Sequence, residues 1–411
     1  SMPKLVNEAS CAIAEVLQLQ DNTSSANWGT TRKDDIEKTM KALLEALDHA
    51  IGSRGWRVAQ SICECLAVIT ESSPLCVRSV KRELFPKLLD VLGAPTSPAA
   101  AKNVACGVIE FFLSTDKKDT LKQIPDLNEK TFNTLFDLNF QNFEPRKDWD
   151  TVLDESNETD INNIGEVAEG CLDRLSVALG HNKKFTDLIL SRFAEGVKSS
   201  NWNVRRTAIS CLMVASEGMG DRLQQVTVSS TILPSLLAAL KDENKYVRRK
   251  AMNCIAQLYT DHAECMVHLP GCTNELVSAL LDTLSGPNEV PTNASTALAA
   301  VGNIAEVVGD EDLHDDPPYD VVTTLQVLMK HFHRAELFFE KDSAVKAVRE
   351  VVAAVKTPLR PLVDELMEFF QQLVTSDDPI AINAGTEGST NLAASVGYEA
   401  FSVYAQDVLE Y

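Results

Sequence analysis

Apolar residues recur along the middle of this chain at the three- and four-residue steps of a helix face. In "WNVRRTAISCLMVASEG" (202–218) they fall at Val204, Ala208, Cys211, Leu212 and Ala215. "YVRRKAMNCIAQLYTD" (246–261) repeats the pattern in register, with Val204 and Val247, Ala208 and Ala251, and Cys211 and Cys254 each 43 residues apart. One further step reaches "VPTNASTALAAVGNIAEVVGD", where Val290 and Ala294 match Val247 and Ala251. The stripe is narrow and built of small residues, which suits close helix packing. Such segments, termed B helices, begin near 56, 101, 164, 204, 247, 290, 343 and 379, with a partial one at 4–19.

Between them lies a second helix type, with a proline followed by leucines: "LFPKLLDVL" at 84, "ILPSLLAAL" at 232 and "LRPLVDELMEFF" at 359. Proline fits a first helical turn, where its missing N–H has no partner in any case. A and B helices alternating with a period near 43 predict an all-α, right-handed solenoid of about nine HEAT repeats, running as one domain over 1–411. The phase slips once. Pro86 and Pro234 are 148 residues apart, about 19 more than three steps, and the excess falls between the B helices at 101 and 164. "EPRKDWDTVLDESNETDINN" in that interval lacks helix periodicity and reads as an acidic loop over 144–163. Long loops inside compact arrays are usually functional or disordered.

The arginines after Val204 and Val247 stand in first turns, where they oppose the helix macrodipole. A carboxylate of the adjacent repeat is the expected partner. The non-core face of each B helix should line a concave groove. By register that face carries Arg206, Ser210, Met213 and Glu217, then Arg249, Asn253, Gln257 and Asp261, then Thr296, Asn303 and Glu306. Glu217, Asp261 and Glu306 follow one another at 44 and 45 residues, and Asp173 stands 44 before Glu217, about a turn earlier in its own helix. The pattern is an acidic ladder, one carboxylate per repeat. Packed helices lie about 8–10 Å apart and an extended peptide advances roughly 3.3 Å per residue, so a bound peptide would meet a new rung about every third residue. The alternative is that these carboxylates only solvate helix ends.

Composition narrows the function. A net charge of −21 and a pI near 4.8 argue against a phosphate-backbone binder and for a basic partner. No apolar run approaches a membrane span, and ten cysteines without a CxxC pair read as small core residues of a reducing compartment. The Ser-Met start resembles an expression remnant, so the chain reads as a cut piece of a longer one. His262, Cys265, His268 and Cys272 are zinc-ligand types, but their steps of 3, 3 and 4 spread along a helix and into a turn. His331 and His333 flank Phe332 and point to different helix faces. No nucleotide loop, nucleophile elbow or metalloprotease motif occurs, so neither an enzyme nor a cofactor is expected.

"GEVAEGCLDRLSVALG", "SSNWNVRRTAISCLMVASEGMGD", "DENKYVRRKAMNCIAQLYTDHAE" and "AINAGTEGSTNLAASVGYEAF" resemble, in this order, middle repeats of the importin-β (karyopherin-β) superfamily. The nearest resemblance is to the subfamily that imports ribosomal proteins and core histones. It implies the central fragment of a nuclear transport receptor that shuttles between cytoplasm and nucleus, meets nucleoporins when intact, and is unloaded by Ran-GTP. By position, Asp173, Glu217 and Asp261 would receive basic cargo side chains, with Asn303 and Glu306 following; on the groove face itself the amides of Asn253 and Asn303 would fix the peptide backbone, with Gln257 on the same line. Asp148, Asp150, Asp154, Glu155, Glu158 and Asp160 stand where the family's Ran-contacting loop emerges, although Asn, Thr and Ser dilute it here. A HEAT scaffold unrelated to transport is the alternative.

Overall fold

The computed structural model describes residues 33–404, apart from 73–76, 78–79, 142, 144–162, 180–181, 221–222, 224, 287–288, 312 and 314. Among the described residues all regular structure is helical. The B helices appear where the pattern places them: α2 (Trp56–Ser72), α4 (Ala99–Thr115), α7 (Ile164–Leu179), α9 (Trp202–Met219), α11 (Lys245–Asp261), α14 (Pro291–Asp310), α16 (Phe338–Ala354) and α18 (Pro379–Val396). An A helix precedes each of them in the chain: α1 (Lys33–Gly52), α3 (Lys81–Gly93), α6 (Leu127–Gln141), α8 (Lys183–Gly196), α10 (Leu233–Ala239), α13 (Cys272–Ser285), α15 (Val321–Arg334) and α17 (Val363–Val374). Short helices α5 (Lys117–Gln123) and α12 (Ala263–Val267) interrupt the alternation. The expected partial helix at 4–19 lies outside the described residues.

Pro234 stands in the first turn of α10 as expected, whereas Pro86 lies deeper, inside α3. A π-helical turn, Val228–Ile232, leads into Pro234 of α10, and a 3-10 turn, Thr357–Leu362, surrounds Pro361 ahead of α17. Both departures from α geometry relieve the clash of a proline ring with the preceding turn.

The described helices form two compact units, one drawn from 33–191 with 217–219, the other from 192–216 and 220–404. In the first, B helices α2, α4 and α7 pack side by side; in the second, α11, α14, α16 and α18 do. The small-residue stripe sets the spacing. A Cβ on Gly309 would stand 3.1 Å from Ala354, so α14 and α16 meet nearly backbone to backbone. Gly388 of α18 lies under the buried Phe370 ring of α17, where a Cβ would fall 2.1 Å from Cε1. Seven described cysteines are buried, consistent with their small-core reading. Val247 is buried as expected, whereas Val204 is only half-buried.

Within the second unit the arginines answer the opening repeat. Asn201 and Asn244, 43 residues apart, cap α9 and α11 by accepting from the N–H groups of Asn203 and Tyr246, each at 2.9 Å. Arg205 then donates from its guanidinium to both oxygens of Asp242 at 2.7 and 2.9 Å, and to the carbonyls of Ser199 and Ser200. Arg248 repeats this one unit on, to both oxygens of Glu289 at 2.8 Å and to the carbonyls of Asp242 and Glu243. Each arginine thus ties the turn before its own helix to the corresponding turn of the next repeat. At α14 the role passes to Asn293, whose amide donates to Glu289 and to the Lys245 carbonyl.

The first unit contains two buried lysines that the sequence pattern does not single out. Lys81 pairs with Asp116 at 2.7 Å and lies 4.9 Å over the Phe112 ring. Lys102 donates to the carbonyls of Leu92 and Ala94 at 2.5 and 2.6 Å, at the negative end of α3. Burial pushes the Lys102 ammonium down to about 8.

Three outcomes follow for stability. Arg205→Ala should cost about 2–3 kcal/mol in chemical denaturation by stranding the nearly buried Asp242, and Arg205→Lys should recover less than half of it because an ammonium lacks the two-pronged fork. Gly388→Ala should cost about 1–3 kcal/mol through the Phe370 clash, whereas Gly107→Ala, in α4 with open space around its Cβ position, should be neutral or stabilising by up to about 1 kcal/mol. For Lys102 the unfolded chain keeps its proton up to the ordinary lysine pKa of 10.5, while the folded chain releases it near 8. Its stabilising contribution is therefore absent below pH 8 and complete above 10.5, so the stability of the unaltered chain relative to Lys102→Met should rise across that window, by up to about 3 kcal/mol.

Candidate functional site

The outer faces of the B helices follow from helix pitch. Residues three and four apart share a line, and that line drifts slowly around the axis relative to the neighbouring helices. In α9 the drift corrects the expected groove face. Arg206 and Ser210 are 5% and 0% exposed and belong to the packed interior; Met213 is half-buried, and only Glu217 reaches solvent. In α11 the line Arg249, Asn253, Gln257, Asp261 is half-buried throughout. In α14, Thr296 and Asn303 are half-buried and Glu306 is exposed.

The first unit holds Asp173, half-buried on α7, and Glu217. Beside Asp173, Arg174 reaches across to α4, donating to Glu110 at 2.8 Å and to the Asn103 amide oxygen at 2.7 Å. That guanidinium also touches the Cys171 sulfur at 3.5 Å and helps hold its thiol below the usual range, after the hydrogen bond from buried Cys106. The bonds to Glu110 and Asn103 do not show in a linear pattern, because they need α4 and α7 side by side.

In the second unit the ladder residues Gln257, Asp261 and Asn303 make hydrogen bonds of their own. The Gln257 amide donates to Asp261 Oδ1 at 2.9 Å, and the Ser216 hydroxyl donates to Asp261 Oδ2. His262, just beyond α11, meets the Ser216 carbonyl at 2.9 Å through Nε2. On the next helix Asn303 donates its amide to the Thr260 hydroxyl at 3.2 Å, and its own Oδ1 is buried with no hydrogen-bond partner. An acceptor in that state is a standing cost that an incoming N–H would remove. Asp261 is held only by neutral donors, and among the described residues no cation pairs with Glu217, Asp261 or Glu306.

The sequence's zinc-type residues disperse. His262 is engaged with Ser216, His268 stands 3.6 Å from Glu311, and burial pushes the Cys272 thiol up to about 12. Among the described residues no group of three His, Cys, Asp or Glu side chains is placed to hold a metal ion. His331 is buried against Glu340 at 2.7 Å, while exposed His333 lies against Phe332 and Phe369. No described helix is long and apolar enough to cross a membrane. The loop residues Asp148, Asp150, Asp154, Glu155, Glu158 and Asp160 lie outside the described residues; Asn163, at the end of that stretch, caps α7 through the Gly165 N–H at 3.0 Å.

Known proteins share this fold. The HEAT repeat family model matches residues 232–262, the segment that carries α10 and α11. Importin subunit beta-1 of Saccharomyces cerevisiae is 27% identical over 160 residues, 38% of this chain and 18% of that protein. Kap121p superposes on 93% of this chain and 36% of its own with a TM-score of 0.79 at 18% identity. Kap121p bound to Nup53p superposes on 100% of this chain and 40% of its own, with a TM-score of 0.80 at 16% identity. The chain therefore spans well under half the length of these proteins. Its sequence is similar to an importin β, and its fold is the HEAT-repeat fold of a karyopherin.

Proposed function

We propose that this chain is part of a nuclear transport receptor of the importin-β superfamily, and that the outer faces of its B helices bind basic segments of cargo proteins. The observation that carries the proposal is the pair of carboxylates Asp261 and Glu306 in the second unit, 45 residues apart, with which no cation pairs among the described residues, whereas Arg205 and Arg248 of that unit are paired; by sequence spacing Glu217 precedes them by 44 residues. Asn253, Gln257 and Asn303 stand beside them as amides able to meet a peptide backbone. Kap121p, which shares the fold, has been solved bound to Pho4p and to the SUMO protease Ulp1p. In one solved Kap121p variant two aspartates and a glutamate, 43 and 42 residues apart, are replaced by lysine, a spacing close to that of the present ladder.

The mechanism is reversible binding without bond chemistry. Each exposed ion pair contributes only about 0–1 kcal/mol, so affinity comes from several pairs made in register, and a long-range acidic field speeds encounter with basic segments. The finer assignment, also proposed, is the subfamily that imports ribosomal proteins and histones. In the intact receptor Asp173 would extend the ladder, the 144–163 loop would contact Ran-GTP to drive release, and nucleoporin contacts would carry the receptor between cytoplasm and nucleus.

The test is titration of the chain with a fluorescent lysine-bearing peptide against a Glu217→Arg/Glu306→Arg variant of unchanged helicity. These two side chains are exposed and hold no structural hydrogen bond, unlike Asp261, so their reversal separates binding from folding. Affinity should fall roughly tenfold or more. Equal binding by both proteins would discard the groove and leave a HEAT scaffold as the better description.

A further inference from the structure

Successive B helices in the second unit contact one another at a nearly fixed offset along the chain. Asn303 bonds Thr260, 43 residues earlier; Ser343 bonds Ser295, 48 earlier; Ser395 donates to the carbonyl of Val352, 43 earlier. The offset carries the ladder past its last sequence-derived rung. Glu350 of α16 stands 44 residues beyond Glu306. The packing agrees, since Gly302, one turn before Glu306, faces Glu350, with a Cβ position 3.7 Å from its Cγ.

At this rung the electrostatics change. Asp261 and Glu306 have no cation among the described residues, but Glu350 lies 3.5 Å from the Arg349 guanidinium, which reaches on to Glu387 of α18 at 2.6 Å. Arg349 is about a quarter exposed, Glu350 about a third and Glu387 about half, so the bridge stands at the surface, within reach of a bound peptide. On the same helix Lys346 pairs with Asp342 and is 65% exposed. Asp261 of α11 and Glu306 of α14 thus meet no cation among the described residues, whereas Glu350 of α16 and Glu387 of α18 share one.

We propose that Arg349 ends the cargo ladder. It is a cation supplied by the chain itself, occupying the place a cargo lysine or arginine would take beside the Glu350 rung, and it is held there by Glu387 of α18. A basic segment lying along α11 and α14 would meet a like charge at α16, and would find both carboxylates already bridged. Arg349 is then a specificity-determining residue that limits how many regularly spaced basic residues count toward affinity. The inference rests on the carrier reading of the acidic faces.

The experiment compares two fluorescent peptides, one with three lysines about every third residue and one with five in the same spacing, on the unaltered chain, Arg349→Ala, Arg349→Gln and Lys346→Ala. Lys346→Ala removes the same charge from the same helix without freeing a rung. Arg349→Ala and Arg349→Gln should tighten the five-lysine peptide by about fivefold and the three-lysine peptide by less than twofold, with Lys346→Ala changing neither selectively. Equal tightening of both peptides, or an Arg349 effect no larger than that of Lys346→Ala, would overturn the proposal and leave the carrier reading standing. If neither peptide binds the unaltered chain, or if Glu217→Arg/Glu306→Arg leaves binding intact, the carrier reading falls and the end stop falls with it.

Discussion

The guanidinium bridge from one repeat's turn to the next is the interaction on which the order of the second unit depends. A helical repeat buries apolar surface against any neighbour of similar shape, so hydrophobic packing alone tolerates sliding along the helix axes. Arg205 removes that freedom by fixing two carboxylate oxygens of Asp242 and two carbonyls of its own turn with one rigid fork. Because the Asp242 carbonyl in turn accepts from Arg248, the links run in series from turn to turn. Stacking of Trp202 on Tyr246, with ring centroids 5.7 Å apart, adds a second contact at the same level.

With the axial offset fixed, side chains at equal register fall in line on the exposed faces. The small residues of the stripe matter here as much as the arginines. Close approach at Gly302 and Gly309 brings the outer edges of α14 and α16 together, so polar residues of one helix touch those of the next, as Ser295 and Ser343 do. Unpaired carboxylates brought into line raise one another's potential and are a cost to folding. In the second unit Glu306 stays exposed while Arg205 and Arg248 are paired in the interior, which is the balance the proposed surface relies on.

The interior ion pairs and the surface carboxylates therefore work on different scales. A pair such as Arg248 with Glu289 is shielded from water and anchors one geometry. An exposed rung contributes little alone and is screened within about 10 Å at 0.1 M salt, which favours partners that engage many rungs and can still leave. The reversible binding proposed above draws on that balance.

The repeat, its period and the B helices were legible in the sequence because a helix that packs on two neighbours must keep one small apolar stripe, and 43-residue matches such as Cys211 with Cys254 expose it directly. The spacing of the acidic positions could be read for the same reason, since equal register implies similar orientation. Tertiary structure alone decided which of them face solvent and which are already answered. Arg206 and Ser210 share a helical line with Glu217 yet are buried, because the line drifts into the packed interior toward the start of α9. Lys81, Lys102 and Arg174 look like surface residues in one dimension and become interior donors only when neighbouring helices supply the acceptors. Glu350 continues the ladder by spacing but is neutralised by Arg349, a pairing set by where α18 places Glu387. Local sequence fixes direction along a helix, whereas burial and charge compensation are properties of what lies across from it.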